Sequence, residues 1–240
     1  HIAYFHSNYI PRRDTSVDWS RPVDGSDPRT DYHGLLSLDE TPDLLDPATG
    51  WLYNSNNWPW SAAGPDSPKR KDYPAYVETG TEESTLGRHA LRLLSEGKDW
   101  TMASLTAAAF DSWLPSFARM LPPLLGAYDA LPAGDTLRAA LAEQVDTLRA
   151  WNDRWDPSSV ATSLAVFWGT DIERKLYRNA VAAHVGVETY VLERATPGEL
   201  LESLAAASAR LSADFGSWRT PWGAINRFQR INDSISPSFD

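Results

Sequence analysis

The chain of 240 residues contains no cysteine and has little positive charge. Without cysteine, disulfide bonds, thiolate zinc sites and a cysteine nucleophile are excluded within these residues. The 22 Lys and Arg residues are outnumbered by 32 Asp and Glu residues, which leaves a formal net charge of −10. A nucleic-acid partner needs a basic protein surface, so we expect no binding of nucleic acid.

Long apolar runs and metal-ligand patterns are also missing from the sequence. No stretch of about eighteen or more apolar residues occurs, so we predict no membrane-spanning segment. His6, His33, His89 and His184 show no spacing typical of a metal site, and we therefore predict neither a metal nor a cofactor. The 42% of hydrophobic residues suffices to bury one sizeable core or two small ones.

The two parts of the chain differ in character. Residues 1–80 are rich in Pro, Gly, Asp and Asn, and within them residues 2–6 and 50–54 are predicted to be short strands. Residues 81–240 carry helical periodicity. The fold class predicted from this division is α+β, mostly helical with a few strands.

Helix boundaries in the second part follow from capping residues. The first helix is expected to begin in residues 81–84 and to end at Gly97. A second is expected to begin at Asp99 and to continue through Pro122 and Pro123. Further helix starts are predicted at Asp135, at Ser158 or Ser159, and at Pro197.

Residues 51–60, Trp-Leu-Tyr-Asn-Ser-Asn-Asn-Trp-Pro-Trp, combine three primary amides with four large aromatic side chains. An Asn side chain is a neutral NH₂ donor at every working pH, so it can stabilise a developing oxyanion without exchanging a proton. The alternative is a surface turn in which Asn side chains bond the backbone and Trp rings pack as a cover.

The order of short motifs around this run resembles the β-chain of the penicillin acylase family of N-terminal nucleophile hydrolases. The matching segments are Tyr-Ile-Pro-Arg-Arg at 9–13, Pro-Val-Asp-Gly at 22–25, Gly-Leu-Leu at 34–36, and Asp-Pro-Ala-Thr-Gly at 46–50, which leads into the Asn run. Near the end, Trp222-Gly223 and Asn226-Arg227 resemble a shorter family motif. The resemblance implies an αββα parent fold that matures by autoproteolysis.

The resemblance also implies roles for individual residues. Asn56 falls where the family has its oxyanion-hole Asn, with Asn57 as the second choice. Arg88, or less readily Arg92, corresponds to the family Arg that orients the surroundings of the nucleophile. The alternative for Arg88 is a solvated helical Arg paired with Glu82 or Glu83.

Substrate contacts and a possible calcium site come from the same comparison. We expect four residues to contact an acyl substrate, namely Tyr53, Asn57, Trp58 and Trp60. Some relatives bind calcium through an acidic side chain at the position that corresponds to Val77, and the neighbouring Glu78 alone cannot supply the ligands that calcium needs.

In this family the nucleophile is the first residue of the mature β-chain, whereas these residues match a segment inside it. Segments 1–80 and 81–240 are therefore expected to form one incomplete domain of a larger precursor, whose other α- and β-chain segments are its partners. The fragment alone is expected to be inactive, and the parent to cleave the amide of an N-acyl substrate such as a β-lactam or an acyl-homoserine lactone. A periplasmic or secreted location is implied. The alternative is a non-catalytic ligand-binding or interaction module on the same fold.

Overall fold

The computed structural model describes residues 1–6, 8–77, 80 and 83–227. The chain divides into two compact units, His1–Ala109 and Phe110–Asp240, and each is described by itself. No helix among the described residues has the length and apolar character needed to cross a membrane.

The first unit contains a two-stranded antiparallel sheet formed by β1 (Ala3–Phe5) and β2 (Asp43–Leu45). Within the loops of its described part lie five single-turn 3₁₀ helices, at Pro28–Thr30, Leu38–Glu40, Pro59–Ser61, Gly64–Asp66 and Arg70–Asp72. The predicted strand at 50–54 is wrong. Gly50, with φ +74°, closes a turn by donating its N–H to the Pro47 carbonyl, and the segment that follows pairs with no strand of the described residues.

Two of the sequence motifs lie side by side in this unit. Pro11 and Leu35 form an antiparallel bridge, which brings segment 9–13 beside segment 34–36. The Arg12 guanidinium donates to Glu40 Oε2 at 2.5 Å, and the Ser37 backbone N–H donates to the same oxygen at 2.9 Å. Hydrogen bonding from Arg12 and Ser37 lowers the pKa of Glu40 to about 2.

The first unit ends in two helices, α1 (Thr85–Glu96) and α2 (Met102–Ala109). Ser84 caps α1 by accepting the Gly87 N–H, close to the predicted start, and Gly97 follows its last residue as predicted. The predicted continuation of the second helix into the region of Pro122 is wrong. Leu114 precedes Pro115, and a residue before proline avoids the helical conformation. Leu114 accordingly has ψ 90°, and a new helix begins at Pro115.

The described part of the second unit consists of helices joined by loops, with one isolated antiparallel bridge between Trp113 and Arg154. Its elements are α3 (Pro115–Asp129), α4 (Thr136–Arg149), α5 (Val160–Ala182), α6 (Val187–Arg194), α7 (Pro197–Phe215) and α8 (Trp222–Ile225). Asp135 caps α4 and Ser159 caps α5, and both predicted starts are confirmed. Thr196 and Glu199 form a capping box at the start of α7, where Pro197 occupies the first turn as predicted.

The core of the second unit surrounds α5. Trp168 is fully buried, and its indole N–H donates to the Leu200 carbonyl at 3.1 Å. Other side chains with no exposure come from α3, α4, α5 and α7, namely Leu124, Val145, Leu164, Ile172, Leu204 and Leu211. These apolar faces stabilise the bundle by removing hydrocarbon surface from water.

The Trp222-Gly223 motif connects α8 to the start of α5 through backbone hydrogen bonds. The Trp222 and Gly223 N–H groups donate to the carbonyls of Ser159 and Pro157, at 3.0 and 2.8 Å. A Cβ at position 223 would lie 2.9 Å from the Pro157 carbonyl oxygen. Glycine therefore permits this close backbone approach.

Candidate functional site

The Asn-rich run forms a tight loop whose shape is set by its own amide side chains. The backbone N–H of Asn56 donates to Asn54 Oδ1 at 2.7 Å, and that of Ser55 donates to Asn57 Oδ1 at 3.0 Å. Asn56 itself has φ +60°, in the left-handed region that Asn tolerates better than most residues. Thus Asn54 and Asn57 hold the turn, and Asn56 stands at its centre.

Asn57 is anchored by a half-buried polar cluster. Its Nδ2 donates to the Tyr53 hydroxyl oxygen at 3.1 Å and to Glu83 Oε1 at 3.0 Å. The Tyr53 hydroxyl is 2.7 Å from Ser61 Oγ and donates to Glu83 Oε2 at 2.9 Å. Burial, together with the nearby Glu83 carboxylate, raises the pKa of Tyr53 to about 12, so this hydroxyl remains a donor at neutral pH.

Besides Ser61, sequence reasoning missed the role of Glu83 in this cluster, since it considered Glu83 only as a partner for Arg88. It directly precedes Ser84, the capping residue of α1, and its Oε1 accepts the Ser84 N–H at 2.8 Å. A Cβ at Gly87 would lie 1.7 Å from Glu83 Oε1 and 2.9 Å from the Tyr53 hydroxyl oxygen. The sequence signal that could have identified Glu83 is an acidic residue at the start of a helix, followed one turn later by glycine.

Asn56 lines an open cavity together with its neighbours, but it differs from Asn54 and Asn57 in the hydrogen bonding of its side chain. This cavity of about 330 Å³ is lined by Tyr4, Phe5, His6, Asn8, Asn54, Asn56, Asn57 and Trp58. The Asn56 residue is exposed, and its side-chain amide makes no hydrogen bond to another described residue. Its NH₂ group is therefore available to a ligand that enters the cavity.

The two tryptophans beside the amides occupy different positions. Trp58 lines the cavity and is 36% exposed, and its ring lies where a Cβ at Gly80 would stand. Trp60 is not among the lining residues. Its indole N–H donates to the Gly80 carbonyl at 3.0 Å, and its ring centroid is 6.0 Å from that of Tyr73.

Arg88 lies in the first turn of α1 and is not among the residues that line the cavity. Its Nη1 donates to the Glu83 backbone carbonyl at 3.0 Å, and its Nη2 donates to Thr85 Oγ1 at 3.2 Å. The structure therefore brings Asn56, Asn57 and Trp58 to one cavity. Tyr53 lies beneath the loop, and Arg88 lies on the neighbouring helix.

The position at which the family resemblance implies a calcium ligand in some relatives carries an apolar side chain. Val77 is buried and has no side-chain oxygen, while Glu78 lies outside the described residues. No group of three or more His, Cys, Asp or Glu side chains in the described part of the chain could hold a metal ion. The described residues at this position therefore do not supply the oxygen ligands that calcium needs.

Comparison with known proteins bears on the fold and on the family of this chain. The chain is similar in fold to a thermostable penicillin G acylase from Alcaligenes faecalis, with a TM-score of 0.59 and 18% sequence identity. The match covers 92% of this chain and 46% of the acylase chain, so these residues span about half its length. The predicted fold class, α+β and mostly helical with a few strands, is confirmed, because the described residues are mostly helical with one two-stranded sheet and match the structure of an N-terminal nucleophile hydrolase. The family described as penicillin amidase matches residues 1–236, and the chain therefore belongs to the penicillin amidase family of hydrolases.

Proposed function

We propose that the full-length protein is an acylase that cleaves the amide bond of an N-acyl substrate, with Asn56 as a side-chain donor of its oxyanion hole. The observation that carries this proposal is the Asn56 amide, which makes no hydrogen bond to another described residue and lines an open cavity. An oxyanion donor has to be unoccupied in the free enzyme and fixed in direction, because catalysis depends on a dipole aimed in advance. The turn held by Asn54 and Asn57 fixes the backbone from which the Asn56 side chain projects, which supports the second condition.

The proposed reaction follows the family pattern. An N-terminal hydroxyl nucleophile, supplied by sequence outside these 240 residues, attacks the amide carbonyl carbon and passes its proton to its own α-amino group. The Asn56 NH₂ donates to the oxyanion of the tetrahedral intermediate. The C–N bond breaks, the amine leaves with the proton, and water then releases the acid from the acyl-enzyme.

The remaining site residues take supporting roles in this proposal. Trp58 and Asn57 line the cavity with Asn56, so we assign them to substrate contact. Tyr53 and Trp60 support the loop from beneath, through Glu83 and the Gly80 carbonyl. Arg88 stays our second catalytic candidate, with the role in orienting the nucleophile's surroundings that the family resemblance implies.

The substrate classes that we propose are β-lactam side-chain amides, acyl-homoserine lactones and acylated lipopeptides. All three contain an N-acyl amide, whose carbonyl carbon is the atom that the nucleophile attacks. The family resemblance also leads us to propose a periplasmic or secreted location. Cell fractionation of the native host tests the location, and recovery only from cytoplasm contradicts it.

The test is a set of full-length variants assayed against a panel of N-acyl amides. Asn56→Gly removes the side-chain amide, and glycine adopts φ +60° without strain. A loss of activity in this variant is therefore not caused by backbone strain. We expect the substitution to lower kcat by about 10²–10³-fold with folding intact. Asn179→Ala, which removes an exposed amide on α5, is the matched control and should retain kcat.

The same assay separates the acylase from the non-catalytic alternative. Wild-type turnover of an N-acyl amide, lost in Asn56→Gly, supports the acylase. Turnover that survives in Asn56→Gly contradicts the role of Asn56. No turnover of any amide by the wild-type protein contradicts the acylase and favours the ligand-binding module.

A further inference from the structure

The Glu83 carboxylate accepts hydrogen bonds both from the Asn-rich loop and from the start of α1. Oε1 accepts from Asn57 Nδ2 at 3.0 Å and from the Ser84 N–H at 2.8 Å. Oε2 accepts from the Tyr53 hydroxyl at 2.9 Å, and the Ser61 hydroxyl also donates to it. One side chain therefore connects both ends of the Asn-rich loop to the start of α1.

The charge of Glu83 decides which way the Asn57 amide points. An ionised carboxylate only accepts hydrogen bonds, so the Asn57 NH₂ has to face it. The Asn57 oxygen then points the other way, where it accepts the Ser55 N–H at 3.0 Å. A reversed Asn57 would place oxygen against oxygen at Glu83 and NH₂ against N–H at Ser55. Both contacts would be repulsive.

The orientation of Asn57 in turn bears on Asn56, which it follows directly. Asn56 is held in a left-handed turn by the Asn54 oxygen on one side and by the Ser55–Asn57 hydrogen bond around it. The loop has no helix or strand of its own at Asn56 that would fix the direction of its amide. The anchor is the Glu83 carboxylate, which lies 26 residues after Asn57 in the chain.

We propose that Glu83 is a positioning residue that sets the direction of the Asn56 amide through Asn57. This inference rests on the proposed oxyanion role of Asn56. A displacement of about 1 Å in a positioned catalytic group can cost 10²-fold in rate. Glu83 therefore affects the transition state, although it is not among the residues that line the cavity.

The test is a double-mutant cycle in the full-length enzyme, with Glu83→Gln, Asn56→Gly and the two combined. The neutral amide of Gln removes one acceptor and can present NH₂ to Asn57. We expect Glu83→Gln to lower kcat by about 10–100-fold while KM changes little. In the Asn56→Gly background we expect no further loss of kcat, because no amide remains to be positioned. Glu96→Gln, at the other end of α1, is the matched control.

The outcomes separate this inference from the proposed function. Losses that multiply in the double variant, or a Glu83→Gln enzyme with wild-type kcat, contradict the positioning role and leave that of Asn56 intact. Wild-type kcat in Asn56→Gly instead contradicts the proposed function. If Glu83→Gln does not fold, Glu83→Asp replaces it in the cycle, because it keeps the charge and retracts the carboxylate by one methylene. Its smaller loss of kcat should again vanish in the Asn56→Gly background.

Discussion

Asn56 and Asn57 are adjacent in the chain, yet Asn57 is the one whose amide is fixed by a charged partner. Asn57 Nδ2 lies 3.0 Å from Glu83 Oε1, whereas the Asn56 side chain makes no hydrogen bond within the described part of the chain. The same chemical group therefore serves a structural purpose at one position and is available to a ligand at the next. The predictions that follow test the surroundings of this pair and the packing of the second unit.

Replacing Tyr53 by Phe should destabilise the protein in a way that depends on alkaline pH. The pKa of Tyr53 is raised from 10.0 to about 12, so its contribution to folding is complete below pH 10 and is lost as pH rises through about 12. We expect Tyr53→Phe to cost about 1 kcal/mol near neutral pH, because it removes a hydroxyl that bonds Glu83. Urea unfolding followed by tryptophan fluorescence measures the difference. A difference that stays constant above pH 10 contradicts this account.

Replacing Glu40 by Gln should show the opposite pH dependence. The pKa of Glu40 is lowered from 4.5 to about 2, so its stabilising contribution is present above pH 4.5 and is lost as pH falls toward 2. We expect wild type to be more stable than Glu40→Gln near neutral pH, and the gap to close within that acidic window. The measurement is urea unfolding at a series of acidic pH values. Glu96→Gln, which lies outside this cluster, serves as the control.

Adding a methyl group at Gly87 should disrupt the polar cluster beneath the loop. The new Cβ would stand 1.7 Å from Glu83 Oε1, so the carboxylate has to leave its position. We expect Gly87→Ala to cost roughly 1–3 kcal/mol, the usual range for overpacking. The matched control is Gly126→Ala inside α3, where nothing besides the adjoining residues and the backbone of the helix itself lies within 4 Å of the added Cβ. That variant should be neutral or more stable, because Ala favours a helix over Gly by about 0.5–1 kcal/mol.

Removing the Trp168 side chain should test the core of the second unit. Trp168 has no exposed surface, and we expect Trp168→Ala to cost about 3–5 kcal/mol of unfolding free energy. Tyr177→Ala on the same helix is the control, because Tyr177 is 60% exposed and should cost only about 0.5 kcal/mol. Far-UV circular dichroism during urea unfolding measures both. Equal costs for the two variants contradict the described packing.

The boundaries of several helices could be predicted because capping chemistry is local. Ser159 and Thr196 carry their capping signals within three residues, and Pro197 fits only the first turn of a helix. The break before Pro115 also has a local cause, because a residue before proline, here Leu114, avoids the helical conformation. The helical spacing of the apolar residues on both sides of it nevertheless led to the prediction of one continuous helix. The short helix α6 was missed among the connections that follow α5.

The contacts that shape the candidate site could not be predicted in the same way. The partner of β1 begins at Asp43, and its pairing depends on long-range backbone hydrogen bonds that periodicity does not encode. Likewise, Tyr53 and Glu83 are 30 residues apart, and no spacing rule connects them. The order of the motifs therefore identified the Asn-rich run. The hydrogen bonds that support it join residues far apart in the chain, and the sequence pattern did not predict them.

The packing of Glu83 against Gly87 also limits the order in which substitutions at these two positions can occur during evolution. A side chain at position 87 and a carboxylate held by the loop at position 83 compete for the same volume. A lineage that keeps the carboxylate has to keep glycine, and one that gains a larger residue at 87 must first lose or redirect Glu83. We expect the two positions to vary together among relatives, so that a pair of aligned columns records whether a protein retains this support for its loop.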